Sequence, residues 1–192
     1  MAPIRASSTS STLTIRAAEP ADAPFIAAIH NQGIEEREAT FDTEPRSPDG
    51  VRRRIERGDL FLVAERAGWV IGAAWVSRYS DREVYDGVGE ATVYVHRDTR
   101  RTGAGGALVD ALAQAAERRG MYKLVGLTFT TNRPSIELLR DRGFRDVGVH
   151  RRHGRLDGAW RDVLVVELLI GNAASRGLPA RRAAHRPRRH PA

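Results

Sequence analysis

Apolar residues follow two alternating patterns along the chain. In some segments they recur at helical spacing, as Leu108, Ala111, Leu112 and Ala115 do before a stop at Gly120. In others they form short runs rich in β-branched and aromatic residues. The predicted helices are 21–36, 51–57, 108–119 and 134–142. The predicted strands are 13–16, 61–64, 70–76, 90–95, 123–129, 144–149 and 161–170.

The order of these elements predicts the class of fold. It is β-α-α-β-β-β-α-β-α-β-β, in which an antiparallel hairpin over 61–76 precedes a β-α-β unit over 90–129. This order predicts an α/β (α+β) domain with a mixed central sheet of about seven strands flanked by helices. It argues against a plain doubly wound dinucleotide fold, whose sheet is mostly parallel.

The chain of 192 residues suits one domain with a tail at each end. Residues 1–12 are rich in Ser and Thr without periodicity, and residues 171–192 mix Arg, Ala, Pro and His without an apolar face. Both ends are predicted to be disordered. The folded domain is predicted to span residues 13–170.

The net charge of +7 suggests a nucleic-acid-binding protein until the charges are located. Residues 171–192 carry six arginines and no acid, and residues 1–12 carry Arg5, so residues 13–170 are neutral overall. Clustered arginines can contact phosphates, but no aromatic residues are interleaved with them here. The charge distribution therefore argues against nucleic acid as a partner of the domain.

The chain contains no cysteine, and its six histidines show no ligand-like pairing on a helix or hairpin. We therefore expect no structural metal. No apolar run approaches the roughly 18–20 residues of a membrane span, and residues 1–12 lack the apolar segment of a secretory signal. The expected location is the cytoplasm, with no membrane partner.

A Gly-rich turn, R-R-T-G-A-G-G over residues 100–106, joins a predicted strand to a predicted helix. The first N–H groups of a helix have no intrahelical partner, and the helix dipole favours an anion there. The glycines let a phosphate or pyrophosphate approach the backbone closely. The turn lacks the Gly-Lys-Ser/Thr of a P-loop, and Leu108 stands where a dinucleotide fingerprint starting at Gly103 needs glycine. These features argue against NTP hydrolysis and against NAD or FAD binding.

Two motifs resemble those of the GNAT N-acetyltransferase superfamily. The sequence R-x-x-G-x-G at 100–105, directly after the strand V-Y-V-H, resembles the superfamily's acyl-CoA signature. Residues 132–144, N-R-P-S-I-E-L-L-R-D-R-G-F, are similar to its N-x-x-S-x-x-L-Y-x-x-x-G-F segment. The stretches N-Q-G-I-E-E-R-E-A-T-F-D-T-E-P-R, G-E-A-T-V-Y-V and H-G-R-L-D-G-A-W-R-D-V resemble the phosphinothricin acetyltransferase group. The resemblance covers residues 13–170 and implies the GNAT fold.

The resemblance implies an N-acetyltransferase that moves the acetyl group of its co-substrate acetyl-CoA to the primary amine of a small molecule. The acceptor it implies is an amino-acid analogue such as phosphinothricin or methionine sulfoximine. Three alternatives stay open: acetylation of protein N-terminal or side-chain amines, acyl-CoA sensing without turnover, and nucleic-acid binding through the tail at 171–192. Relatives in this group are often dimers, so a homodimer is also implied, although the periodicity shows no interface.

By the same resemblance, the cofactor site begins in the strand before the turn. Main-chain groups of Val93, Tyr94 and Val95 bind the pantetheine arm and polarise the acetyl carbonyl. The backbone N–H groups of the turn hold the pyrophosphate. The residues assigned to it are Arg100, Arg101, Thr102, Gly103, Ala104, Gly105 and Gly106. The Asn132 side chain is implied to contact the pantetheine arm, and Ser135 of the same motif is assigned to the cofactor site with it.

Acetyl transfer needs a neutral amine, so a base near the nucleophile helps the reaction. Glu90, at the head of the strand before the turn, matches the glutamate with this role in the phosphinothricin group. The superfamily's thiolate-protonating tyrosine falls at Leu139, so the source of that proton stays open among water, Tyr94 and His153. An aliphatic thiol has a pKa of about 8.5, so its departure needs only modest help.

The acceptor pocket implied by the resemblance is lined by four residues, Phe41, Trp75, Arg78 and Tyr85. Arg78 is placed to pair with a carboxylate or a phosphinate. His153, in the predicted loop R-R-H-G-R-L-D-G-A-W, could help to shape this site. Phe41 and Trp75 have an alternative role as core residues, and His153 has one as a surface histidine among arginines.

Overall fold

The computed structural model describes residues 12–175. Most of the two predicted tails, residues 1–11 and 176–192, lies outside the described residues. The helices are α1 Ala23–Glu36, α2 Pro48–Glu56, α3 Ala104–Arg118, α4 Arg133–Asp141 and α5 Asn172–Ser175. The strands are β1 Thr14–Ala17, β2 Phe61–Arg66, β3 Trp69–Arg78, β4 Val88–Val95, β5 Lys123–Phe129, β6 Arg145–Leu156 and β7 Ala159–Leu169. None of the described helices is both long and apolar enough to cross a bilayer.

The predicted order of strands and helices is confirmed, but the predicted loop R-R-H-G-R-L-D-G-A-W is wrong. The structure extends β6 and β7 through it as a hairpin. The turn consists of Asp157 and Gly158, whose φ angles are 48° and 78°, and a type I′ turn requires two such positive values. The loop was predicted because the polar side chains of this edge hairpin show no apolar alternation. The Asp-Gly pair is the sequence signal that identifies the hairpin.

The seven strands form one mixed sheet in the order β1-β2-β3-β4-β5-β7-β6. Neighbouring strands are antiparallel except β4 and β5, which are parallel. Their ladder is short and pairs Val88 with Lys123, Gly89 with Leu124 and Glu90 with Val125. On its other side, β4 stays paired with β3 as far as Val95. Residues 91–95 therefore have one edge paired with β3 and one edge open on the β5 side.

Helices cover both faces of the sheet. On one face, α3 and α4 bury a core that includes Leu108. On the other face, α1 and α2 bury a second core that includes Ile26. Side chains of β4 alternate between the two, with Val93 and Val95 packed on the α3 side and Tyr94 on the α1 side. The open edge of β4 is thus held in place by packing on both of its faces.

Candidate active site

A cleft of about 950 Å³ opens where β4 separates from β5. Its walls come from α1 and the segment after it, the open edge of β4, the start of α3 and the start of α4. Most of the residues singled out in the sequence line it: Phe41, Trp75, Glu90, Val93, Tyr94, Val95, Arg100, Arg101, Gly103, Gly105, Gly106, Asn132, Ser135 and His153. The fold therefore brings together residues that are widely separated along the chain.

The Gly-rich turn enters α3 through two left-handed residues, Arg101 with φ 62° and Gly103 with φ 88°. Because the N–H of Ala107 donates to the Gly103 carbonyl, the N–H groups of residues 104–106 precede the first intrahelical hydrogen bond. A Cβ added at Gly105 would lie 3.1 Å from Leu138 Cδ2. Glycine here lets α3 approach α4 and leaves the backbone of the first turn accessible to an anion.

Two predicted cofactor residues support this turn without lining the cleft. The Thr102 hydroxyl donates to the Thr99 carbonyl at 2.7 Å. Ala104 is buried beneath the turn. Both residues therefore help to fix the shape of the backbone at the turn.

Two arginines, Arg100 in the turn and Arg97 before it, are already paired with acids of α1. Arg100 Nη2 lies 2.7 Å from the Glu36 carboxylate, and Arg100 Nε donates to the Val95 carbonyl at 3.3 Å. Arg97, just before the turn, donates to Glu35 at 2.7 Å. These contacts attach the turn to α1 and offset part of its positive charge. The fit of this site to a pyrophosphate therefore rests on the backbone of residues 101–106 more than on the arginines.

Glu90 occupies the point at which β4 and β5 separate, since its pairing with Val125 is the last in their ladder. Across the antiparallel ladder it lies opposite Ser77. Its carboxylate is partly buried, and this burial raises its pKa without a charged partner among the described residues. A carboxylate in this environment binds a proton more readily than a salt-bridged one.

Aromatic rings pack on the α1 side of β4, next to Glu90. Trp75 stacks between two rings, with centroids 5.8 Å from Tyr94 and 5.5 Å from Phe61. The Tyr94 hydroxyl donates to the Ala39 carbonyl at 3.3 Å, and burial raises the pKa of Tyr94 to about 12. Trp75 is 3% exposed and still lines the cleft, so it is a core residue and a wall residue at once.

His30 lines the same cleft, and the motifs in the sequence did not reveal it. Its ring lies edge-on to Tyr94 with centroids 4.7 Å apart, and its Nε2 lies 3.8 Å from the Asp42 carboxylate. Burial, followed by the charge of Arg46, lowers the pKa of His30 to about 4. The available signal was its position on the buried face of α1, one turn after Ile26, which by itself indicates a core histidine.

Arg46 also lines the cleft and was also missed. Its Nη2 donates to the Asp42 carboxylate at 3.0 Å, and its guanidinium carbon lies 5.8 Å from the centroid of the Trp75 ring. Arg46 ends the stretch N-Q-G-I-E-E-R-E-A-T-F-D-T-E-P-R, but the resemblance carried by that stretch assigned no role to this residue. Lys123 is the one lysine among 31 basic residues, so a single arginine carries little information in this sequence.

Asn132 joins two walls of the cleft. As the first residue before α4, it accepts a hydrogen bond from the Ser135 N–H at 3.2 Å through Oδ1. Its Nδ2 donates to the Glu38 carbonyl, in the segment after α1, at 3.1 Å. Each end of an amide can make a second hydrogen bond. The two hydrogen bonds of Asn132 are therefore compatible with its predicted contact to a ligand.

The cleft lining also includes Phe41 and His153. Phe41 packs edge-on against Phe129 with centroids 4.8 Å apart, and a Cβ on Gly154 would lie 2.7 Å from its ring. His153 lies at an irregularity in β6 and stacks on His150 with centroids 4.8 Å apart. Within residues 12–175, no three His, Asp or Glu side chains converge as a metal site would require.

Arg78 and Tyr85 are not among the residues that line the cleft. Arg78, opposite Gly89 at the end of β3, donates to the Asp86 carboxylate at 2.8 Å. Tyr85 packs edge-on against Tyr79 with centroids 5.9 Å apart. The structure thus does not bring these two side chains into the cleft with the other residues singled out in the sequence. Their predicted contact with an acceptor stays a prediction.

Three comparisons with known proteins agree with this geometry. The family described as the acetyltransferase (GNAT) family matches residues 28–144. A phosphinothricin N-acetyltransferase from Streptomyces viridochromogenes is 35% identical over 153 residues, which cover 78% of this chain and 83% of that protein. An L-methionine sulfoximine/L-methionine sulfone acetyltransferase from Pseudomonas paraeruginosa is 33% identical over 162 residues, 81% of this chain and 93% of that protein.

A solved structure is similar over most of the fold. It is a GNAT superfamily phosphinothricin acetyltransferase from Sinorhizobium meliloti in complex with acetyl-CoA, with a TM-score of 0.79 and 25% sequence identity. The similarity covers 90% of this chain and 96% of the solved one. The mixed seven-stranded sheet with its separated central pair is thus the architecture of a known group of enzymes.

Proposed function

The chain belongs to the GNAT acetyltransferase family, and from that premise we propose that it acetylates the primary amine of a small amino-acid analogue with Glu90 as general base. It is an acetyl-CoA-dependent N-acetyltransferase of the phosphinothricin and methionine sulfoximine acetyltransferase type. The observation that carries the proposal is the placement of Glu90, a partly buried carboxylate without a counter-ion, where the β4 edge opens.

Main-chain groups of this chain suit both the pantetheine arm and the pyrophosphate of acetyl-CoA. The open edge of β4 presents alternate main-chain N–H and C=O groups of residues 91–95, and an extended amide-containing arm can pair with such an edge. The first turn of α3 offers N–H groups to the pyrophosphate. Acetyl-CoA supplies an acetyl thioester to this site. Main-chain N–H groups near Val93 and Val95 are then the donors that polarise its carbonyl.

Glu90 accepts the proton that the amine loses as its nitrogen bonds to the acetyl carbon and the carbon–sulfur bond breaks. The departing thiolate takes a proton in the same turnover. Leu139 has none to give, and the buried Tyr94 hydroxyl already donates its hydrogen bond to the Ala39 carbonyl. The proton for the thiolate therefore comes from water or from His153, and Tyr94 serves as a wall residue.

The acceptor class is proposed from the shape and chemistry of the cleft together with the relatives. Phe41 and Trp75 provide apolar walls, and Arg46 provides a cation at the same cleft. The relatives' names specify phosphinothricin and methionine sulfoximine or sulfone as their own acceptors. An amino acid with a short polar side chain matches both sets of observations.

A direct test measures the release of free thiol from acetyl-CoA by the purified protein. The acceptors are phosphinothricin, methionine sulfoximine, ordinary amino acids, polyamines and short peptides. We expect turnover with the amino-acid analogues. Faster turnover of peptides or polyamines would replace the proposed acceptor class, and demonstrable CoA binding without any turnover would identify a sensor instead.

The Glu90→Gln variant tests the general base. We expect kcat/KM to fall by about 10²- to 10⁴-fold, and the acid limb of the pH profile, which lies above the usual glutamate range because burial raises the pKa of Glu90, to disappear. The exposed Glu56→Gln is the matched control. An acid limb that is the same in Glu90→Gln and in the unsubstituted enzyme would remove Glu90 as the base.

A further inference from the structure

We propose that Arg46 is the residue that binds the α-carboxylate of the acceptor. This inference rests on the proposed function, because it presumes an amino-acid acceptor in the cleft. Arg46 lies in the segment between α1 and α2, outside the motifs that mark the cofactor site. It fits the role because of its position relative to Glu90, its fixed orientation and its remaining hydrogen-bond donors.

Arg46 and Glu90 lie on the same side of the sheet. The guanidinium carbon of Arg46 is 5.8 Å from the centroid of the Trp75 ring. Trp75 pairs with Thr92, two residues from Glu90 on β4, so Trp75 and Glu90 are diagonal neighbours about 7–8 Å apart on one face. Arg46, next to the Trp75 ring, and Glu90 therefore line the same face of one cleft, as an α-amino acid with its carboxylate on Arg46 and its amine near Glu90 requires.

The backbone of Arg46 is held in place by a residue of α1. The Arg46 N–H donates to Asn31 Oδ1 at 2.9 Å, and Asn31 Nδ2 donates to the Arg46 carbonyl at 3.1 Å. Asn31 thus uses both ends of its side chain on one residue. A surface arginine without a ligand needs no such support, whereas a ligand-binding arginine gains affinity when its position is fixed in advance.

The side chain of Arg46 is oriented as well, and part of it is left for a ligand. Asp42 Oδ2 accepts from Nε at 3.3 Å and from Nη2 at 3.0 Å. Within the described part of the chain, no acceptor binds Nη1. The edge formed by Nη1 and Nη2 can therefore receive a carboxylate in the two-pronged geometry that arginine favours.

The positive charge of Arg46 affects a neighbouring group inside the cleft. After burial, it is the main cause that lowers the pKa of His30, and neutral His30 then adds no second cation there. Arg78, the arginine chosen from the sequence, lies opposite Gly89 and is paired with Asp86. Of the two arginines, Arg46 is the one that shares the cleft with Glu90.

The experiment compares two acceptors that differ in the carboxylate alone. Methionine sulfoximine and its α-carboxamide are each used as acceptor with the full-length enzyme and with the variants Arg46→Gln, Arg46→Lys and Arg78→Gln. Arg52→Gln, an exposed arginine of α2 outside the cleft lining, is the matched control. Because the carboxamide has a different amine pKa, the measured quantity is the ratio of kcat/KM for the two acceptors in each variant.

We expect Arg46→Gln to lower kcat/KM for methionine sulfoximine by about 10- to 100-fold, as the loss of hydrogen bonds to a charged group implies. The loss should appear mainly in KM for the acceptor, with a much smaller effect on the carboxamide and no change in KM for acetyl-CoA. Arg46→Lys keeps the charge without the paired donors, so its kcat/KM for methionine sulfoximine should lie between those of Arg46→Gln and the unsubstituted enzyme. A melting curve for each variant separates these effects from misfolding.

A ratio that is the same in Arg46→Gln and the unsubstituted enzyme would overturn the proposal while leaving the amino-acid acceptor in place. A ratio that changes in Arg78→Gln instead would assign the carboxylate to Arg78. If the unsubstituted enzyme acetylates amines without a carboxylate in preference to amino acids, then the proposed function fails, and the role of Arg46 fails with it.

Discussion

Single residues in the cleft show how burial selects the group that can exchange a proton. Burial raises the pKa of Glu90, raises that of Tyr94 to about 12 and lowers that of His30 to about 4. Tyr94 is then too weak an acid, and His30 too weak a base, to exchange protons readily at neutral pH. Of these three residues, Glu90 is the one whose shifted pKa favours the uptake of a proton.

The buried imidazole also predicts how stability depends on pH. The pKa of His30 is about 4 in the folded protein, below the ordinary value of 6.5. The unfolded chain therefore gains a proton before the folded one does, so this residue's stabilising contribution is complete above pH 6.5 and is lost as pH falls towards 4. His30→Phe should remove up to about 1.4 kcal/mol per pH unit from the slope in that window.

Urea unfolding of the unsubstituted protein and His30→Phe, at several pH values across this window, measures the difference in slope. His150→Gln is the control, because His150 is exposed. Parallel stability curves for His30→Phe and the unsubstituted protein would show that His30 titrates normally in the folded state.

At the scale of the element, the start of α3 has to satisfy two demands at once. It packs closely on α4, where Gly105 approaches Leu138, and under the proposed function it presents unpaired N–H groups to the pyrophosphate. A negative charge introduced here has opposite effects on the stability of the helix and on the binding of an anion. A carboxylate in the first turn stabilises a helix through its dipole, but it repels a bound pyrophosphate.

Gly105→Asp and Gly105→Asn have nearly the same shape and differ in charge. We expect Gly105→Asp to bind acetyl-CoA at least about tenfold more weakly than Gly105→Asn at low salt, with a smaller difference at high salt. Its melting temperature should be equal or higher. Titration of each variant with acetyl-CoA at two salt concentrations gives the measurement, and equal affinities would contradict a pyrophosphate at this turn.

At the scale of the whole molecule, the cleft depends on packing between the sheet and its helices. Leu108 of α3 is completely buried, and its Cδ1 lies 3.0 Å from where a Cβ on Gly72 of β3 would be. This contact joins the helix that begins at the Gly-rich turn to the strand that carries Trp75. The core thus sets the position of the turn relative to Trp75, which lines the cleft.

Leu108→Ala should lower the free energy of unfolding by about 2–5 kcal/mol, because the neighbours cannot fully close the cavity. Val149→Ala, at an exposed position of β6, should change it by less than about 0.5 kcal/mol. Chemical denaturation gives both values. A loss for Leu108→Ala as small as that for Val149→Ala would mean that the α3 interface is not tightly packed.

The sequence identified the features that depend on residues close together along the chain. The Gly-rich turn at 100–106 forms its site from consecutive residues, so its spacing was readable without the fold. The same holds for the order of strands and helices, which follows from periodicity. The β6–β7 hairpin was missed because an exposed edge strand buries little, although Asp157-Gly158 marked its turn.

The acceptor side of the cleft was not readable in the same way. Arg46, His30 and Glu90 come from three different segments and meet through packing of α1 and its following segment against β3 and β4. The resemblance implied a role for Arg78 and none for Arg46. In the structure each is paired with an aspartate, and of the two it is Arg46 that lines the cleft. Which arginine reaches the cleft depends on packing between segments that are distant along the chain.

By itself the sequence determined the class of fold, the Gly-rich turn between β4 and α3 and the position of a carboxylate at the head of β4, because each depends on neighbours along the chain. The tertiary structure alone decided which side chains share the cleft with that carboxylate and which of them are neutral. The physical reason is that burial and ion pairing depend on distances through space, and residues such as Arg46 and Trp75 acquire those distances only when the sheet and α1 pack together.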